Sequence, residues 1–129
     1  MNSATPHRIL LGILATAGVA HFVVPSGFDS TVPRALPGTA RFWTYISGVA
    51  ELAVAIAVAR PGTRRLGGLA AAALFVAVFP ANIQMAIDFS DRPLGQRLLA
   101  YGRLPLQVPL VWLAITVMRR AAPPGGAST

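Results

Sequence analysis

Ser47-Gly48-Val49-Ala50-Glu51-Leu52-Ala53-Val54-Ala55-Ile56-Ala57-Val58-Ala59 is the stretch that decides the fold. With Phe42 to Ile46 ahead of it, this run is long enough to cross a hydrocarbon core of about 30 Å. It holds small and aliphatic residues and a single carboxylate. An acid at that depth is costly, so an intramembrane glutamate is a functional candidate by default. Thr44, Ser47, Gly48 and Ala55 fall on the same helical face as Glu51, a small-residue face suited to the interior of a bundle.

The rest of the chain reads the same way. Over 129 residues, 54% are hydrophobic and only 12% charged, and the mean hydropathy is positive. That charged share is about half the usual one. A soluble domain of this size has no interior large enough to hide four long apolar runs. The expected class is all-α, an integral membrane bundle of four transmembrane helices with interfacial loops, forming one domain over residues 1–120.

The net charge of +7 does not point to nucleic acid. The arginines flank apolar runs, where topology and anionic lipid headgroups account for them, and no basic stripe interleaved with aromatics occurs. Cysteine is absent, which removes thiol–disulfide chemistry, Cys-ligated zinc and iron–sulfur ligation from this chain. The alanine and arginine bias has the flavour of a GC-rich bacterial genome.

The helices are expected at about 9–24, 41–59, 66–87 and 103–118. A signal peptide cleaved after Ala15-Thr16-Ala17 is the competing account of the first, but its apolar run continues to Val24. Between the first two helices, Pro25, Pro33 and Pro37 oppose regular helix while Phe28, Val32 and Leu36 oppose full solvation. An interfacial or shallow re-entrant segment capping the bundle fits both. Trp43 and Tyr45 read as interface anchors. Arg60-Pro61-Gly62-Thr63-Arg64-Arg65 is a short turn held out of the bilayer by its arginines. In the third helix Gly67, Gly68, Ala71 and Ala72 allow close helix approach, and Pro80 should kink it by freeing the carbonyl of Val76.

Asp88 to Gly102 reads as a second external loop. Leu94, Leu98 and Tyr101 share a face there and predict a short amphipathic helix lying in the interface. The last span, Leu104 to Met118, would rise only about 22 Å. It must therefore start at Arg103 or earlier, or the bilayer must thin. Residues 121–129 form a Pro/Gly tail expected to be disordered. With four spans, Arg8, Arg60, Arg64, Arg65, Arg119 and Arg120 share one side, all beside helix ends. Arg34, Arg41, Arg92, Arg97 and Arg103 share the other. The first set is assigned to the cytoplasm, with both termini, in a bacterial inner membrane.

In this topology His21, Asn82 and Gln107 fall in the outer leaflet. Glu51, about 15 Å below Arg41, falls near the midplane. Glu51 is open to two accounts, a hydrogen-bonded structural acid or a functional one, and pairing with His21 or Arg103 would lower its cost. His21 can be a proton carrier, a ligand contact or an interhelical hydrogen bond. Asn82 and Gln84 cannot both face inward; Asn82, just past Pro80, is the inward candidate. Gln107, between Pro105 and Pro109, fits a residue that serves carbonyls released by a kink. Arg103 either snorkels to phosphates or turns inward. His21, Glu51, Asn82, Arg103 and Gln107 are the candidate ligand-binding set. No catalytic residue is assigned, and two good ligands do not make a metal shell.

Ala20-His21-Phe22 before Pro25 and Phe28, Val32-Pro33 with Leu36-Pro37, Ser47-Gly48-Val49-Ala50-Glu51-Leu52, Phe79-Pro80-Ala81-Asn82 and Arg103-Leu104-Pro105-Leu106-Gln107 occur in this order. Together these landmarks resemble the DoxX family of small bacterial membrane proteins. The resemblance implies a four-helix transmembrane fold and a link to thiosulfate:quinone oxidoreduction or membrane-bound oxidative-stress complexes. The cysteine pairs of related redox families are missing here.

The leading expectation is an accessory or quinone-facing subunit of a membrane redox assembly, with no cofactor held covalently and quinone as its ligand. Its partners would be the bilayer, a soluble or membrane redox protein, and a second copy of the chain. A proton-coupled transporter using Glu51 and His21, and a non-catalytic scaffold or chaperone, are the alternatives.

Overall fold

The computed structural model describes residues 5–121; the expected tail lies outside the described residues but for Ala121. All described elements are helical. Four segments are long and apolar enough to cross a membrane: Thr5–Val23, Ala40–Ala59, Pro61–Asp88 and Leu94–Arg120.

Helix α1 (Thr5–Val23) begins earlier than expected. Pro6 sits in its first turn, where no N–H is needed, so the helix takes in His7 and Arg8. Pro25 plays the same part in the short helix α2 (Pro25–Asp29). The loop that follows is tied back to α3 (Ala40–Ala59). Thr39 caps α3 through its hydroxyl, which accepts from the Phe42 N–H at 3.2 Å. Trp43, expected as an interface anchor, donates its indole N–H to the Pro37 carbonyl at 2.6 Å.

The Arg60–Arg65 turn contains a 3-10 turn over Pro61–Thr63. The terminal carbonyls of α3 have no partners within their own helix. Arg64 donates to those of Val58 and Ala59 at 2.8 and 2.9 Å, and Thr63 donates to that of Ala57 at 2.8 Å.

The third span is broken in two, α4 (Arg64–Ala77) and α5 (Phe79–Asp88). Pro80 lies in the first turn of α5 and has no N–H for the carbonyl four residues back. The ladder bridges the break through Val78 N–H to Leu74 and Asn82 N–H to Val78, each at 3.0 Å.

The last helix departs most from expectation. Helix α6 runs unbroken over Leu94–Arg120, so no separate interfacial helix exists at Leu94–Tyr101. Pro105 and Pro109 each remove one hydrogen bond without ending the helix, which a bundle tolerates where neighbours meet the freed carbonyls. The continuous helix is about 40 Å long, ample for a span, where 15 residues would have fallen short.

The spans pack in a ring: α1 on α3, α3 on α4, α4 on α6, and α6 back on α1. One half of the bundle, beside the arginine turn, is dry. Leu10, Leu14, Ala55, Val58, Ala71, Phe75, Ala114 and Val117 form its buried core. Helices approach closely there because glycine replaces a side chain. A Cβ on Gly67 would lie 2.6 Å from the Val58 nitrogen, and one on Gly68 would lie 2.7 Å from the Met118 nitrogen. Backbone cannot give way as a side-chain tip can, so α4 is pinned between α3 and α6 by van der Waals contact.

Gly68→Ala is therefore expected to destabilise the bundle by about 1–3 kcal/mol, read as a lowered unfolding midpoint in detergent. Gly12→Ala, where a Cβ would meet nothing within 4 Å, should leave the midpoint unchanged or slightly raised.

Candidate functional site: a polar cavity in the loop-side half

The other half of the bundle encloses a cavity of about 400 Å³. His21, Glu51, Asn82, Arg103 and Gln107 all line it, one or more from each span. Phe28 of α2 and Thr31, Val32, Pro33 and Leu36 of the loop after it line the cavity, so this segment forms a lid over it.

His21 is carried by α1 against α3 at Gly48, where a Cβ would lie 2.8 Å from that of His21. Its Nδ1 lies 2.7 Å from the Ala17 carbonyl oxygen. A carbonyl only accepts, so Nδ1 carries a proton, and in the tautomer this selects Nε2 is the acceptor. The ring stacks on Phe28, with centroids 3.9 Å apart. Glu51 Oε2 stands 3.7 Å from His21 Nδ1, within Coulombic reach but beyond a hydrogen bond. That oxygen is buried and has no hydrogen-bond partner.

Asn82, Gln107 and the break in the third span form one chain. Gln107 Nε2 donates to the Phe75 carbonyl, one residue before the carbonyl that Pro80 itself frees. The acceptor fixes the orientation of the amide, so Gln107 Oε1 must accept, and Asn82 Nδ2 donates to it at 2.9 Å. Asn82 Oδ1 is then left over, buried and without a donor. A main-chain carbonyl thus sets the polarity of two side chains and leaves an acceptor at the far end.

Arg103 Nη1 contacts Met85 Sδ at 3.1 Å. Among the described residues the carboxylates within 4 Å of a basic nitrogen are Glu51, beside His21, and Asp29, beside Arg41, so Arg103 faces the cavity with no carboxylate in direct contact. Gln84 turns away and donates to Asp88 at 3.0 Å, leaving Asn82 as the inward amide of its helix. Among the described residues no cluster of three His, Cys, Asp or Glu could hold a metal ion.

The spare chemistry of the cavity is thus two acceptors, Glu51 Oε2 and Asn82 Oδ1, the His21 Nε2 acceptor, and the remaining N–H groups of Arg103. Two contributions were not legible in the sequence. The Phe75 carbonyl is a main-chain group, and the Phe28 stack joins residues on different helices. Three prolines interleaved with apolar residues were the available signal for the lid.

The lid is anchored by Asp29. Thr44 donates to Asp29 Oδ1 at 2.6 Å and Arg41 to Oδ2 at 3.0 Å. The Thr44 hydrogen bond first, and Arg41 after it, hold the Asp29 carboxyl below its ordinary value. A carboxylate depressed on folding stabilises above its unfolded value and loses that contribution as pH falls through the folded one. Amide exchange in residues 25–39, corrected for intrinsic rates, should therefore speed up as pH drops below about 4. In Asp29→Asn it should already be fast at neutral pH and show no such step.

The comparisons with known proteins correct one expectation. No curated protein and no solved structure matches this chain, and the family model that matches is not DoxX. The motifs that suggested DoxX are each only a few residues long, and proline and small residues in such runs serve helix breaks and close helix packing in membrane bundles generally. The matching model covers residues 10–118, and the chain belongs to its family, described as Domain of unknown function (DUF8561).

Proposed function

We propose that this chain is a multi-pass protein of a bacterial inner membrane, with its termini on the cytoplasmic side, that holds a quinol or quinone headgroup in the cavity between its spans. On this reading it is an accessory, quinone-facing subunit beside a redox partner protein rather than a self-standing enzyme. The arginines beside the helix ends support the orientation.

One observation carries the ligand class. Two buried acceptors, Glu51 Oε2 and Asn82 Oδ1, lack donors on a cavity that also presents Arg103. Unpartnered buried polar atoms cost free energy, which a ligand that donates to them recovers. The ligand must donate to Glu51 or Asn82 and accept from Arg103. A quinol does both, and its quinone form keeps the second contact. A redox role no longer draws on a resemblance to DoxX; it rests on the headgroup chemistry alone.

Trp43 lines the cavity and reports occupancy. A tail-less hydroquinone added to the protein in lipid nanodiscs should quench it saturably. Glu51→Ala should weaken binding about three- to tenfold or more, the value of one hydrogen bond. Since Oε2 has no hydrogen-bond partner, the variant should unfold no earlier than wild type; earlier unfolding would mark Glu51 as a structural lock. Failure of either protein to bind, with folding intact, overturns the proposal.

A second reading has its own observation, the 3.7 Å approach of His21 to Glu51. Such a pair can pass a proton in a small coupled transporter. That reading expects Glu51→Gln to lower proton-coupled flux in liposomes about tenfold or more. Flux unchanged by the substitution removes it.

A further inference from the structure

On the outside of the bundle, a second concavity of about 440 Å³ lies between the break in the third span and α6. Val76, Phe79, Val108, Val111, Trp112 and Ile115 form it, and the one polar side chain it touches is Gln107. We propose that this groove holds the prenyl chain of the quinone whose headgroup occupies the cavity, and that the headgroup enters sideways from the bilayer past Gln107. The inference rests on the headgroup reading above and adds the tail and the route.

Three observations support it. First, among the described residues Gln107 alone lines both cavity and groove. Second, the wall between them is the third span at its weakest point. Around the break, Phe75, Ala77, Val78 and Pro80 face the cavity, while Val76 and Phe79 face the groove. That seam is closed by the side-chain hydrogen bonds of Gln107 to Phe75 and Asn82. When Gln107 swings out, the Phe75 carbonyl loses its side-chain donor and the Asn82 amide is freed to meet an entering headgroup. Third, the axial order is that of a lipid. The cavity takes α6 residues from Arg103 to Leu110, and the groove continues from Gln107 to Ile115. Those eight positions run about 12 Å toward the arginine end of the helix. A headgroup in the loop-side half thus trails its chain past the midpoint of α6 and along the half beside the arginine turn.

The chain has two tryptophans, Trp43 on the cavity and Trp112 on the groove, so head and tail can be followed separately. Trp112→Phe leaves the first signal and Trp43→Phe the second. The probes are a benzoquinol with a brominated chain of four isoprene units and the same headgroup without a chain, kept reduced, in phosphatidylcholine nanodiscs. The tailed probe should quench both tryptophans, saturating at the same mole fraction, and the tail-less one should saturate Trp43 alone.

Val108→Phe and Val76→Phe fill the groove from either wall, at side chains 72% and 59% exposed, where neither disturbs the core. Each should abolish the saturable Trp112 signal and weaken the tailed probe about threefold or more, leaving the tail-less one unchanged. Trp112 quenching that rises linearly without saturation marks random collision in the bilayer and overturns the groove, as does a signal indifferent to both substitutions. If the tail-less probe binds and the groove shows nothing, only this inference falls; if the tail-less probe binds nowhere, the headgroup reading falls with it.

Discussion

The break at Val78 is the constraint on which the loop-side half of the molecule depends. Beside the break, where Pro80 takes the helical partner from the Val76 carbonyl, an apolar surrounding offers main-chain carbonyls no water and the protein must supply donors. Gln107 supplies one to the Phe75 carbonyl from the facing helix. That single demand determines which end of the Gln107 amide points where, which end of Asn82 meets it, and which oxygen remains without a donor. A structural requirement and a binding opportunity are thus produced by the same three residues, because each amide has one donor end and one acceptor end to spend.

The bundle divides its labour along its axis. Beside the arginine turn, glycines let α4 press against the backbones of α3 and α6, and no polar side chain is needed. Toward the other end the helices leave room, and each contributes a polar group to the cavity. The lid closes that end by ordinary means: a proline-started helix, a threonine cap, an indole donating to a carbonyl, and a carboxylate tied to Thr44 and Arg41. The dry half gives the polar half a rigid base. Close packing at one end holds four spans at separations that keep a cavity open at the other.

The membership in the DUF8561 family leaves the chemistry of the site as the main guide to function. What the cavity offers is asymmetric: acceptors on α3 and α5, a guanidinium on α6. A ligand that only accepts would leave Glu51 and Asn82 unserved, and one that only donates would leave Arg103 unserved. That asymmetry supports a headgroup with both kinds of group over an anion or a plain cation.

Several features were determined by the sequence itself. Four apolar runs bounded by arginines dictate four helices long and apolar enough to cross a membrane. Proline in the third span dictates a break there, and antiparallel neighbours bring the polar residues of all four spans to one half. Period and spacing could also choose Asn82 over Gln84, because two residues that far apart on a helix point different ways.

Only the tertiary structure decided the rest. The extent of α6 could not be read from its prolines, since Pro105 and Pro109 each remove one hydrogen bond yet stand inside an unbroken helix. Whether Glu51 meets His21 or Arg103 turned on helix rotation, set by Gly48 against α1. The partner of Gln107 was a main-chain carbonyl on another span, invisible to any pattern of side chains. Sequence fixes which groups must be satisfied; the packing of helices against one another decides which group satisfies which, and which is left over.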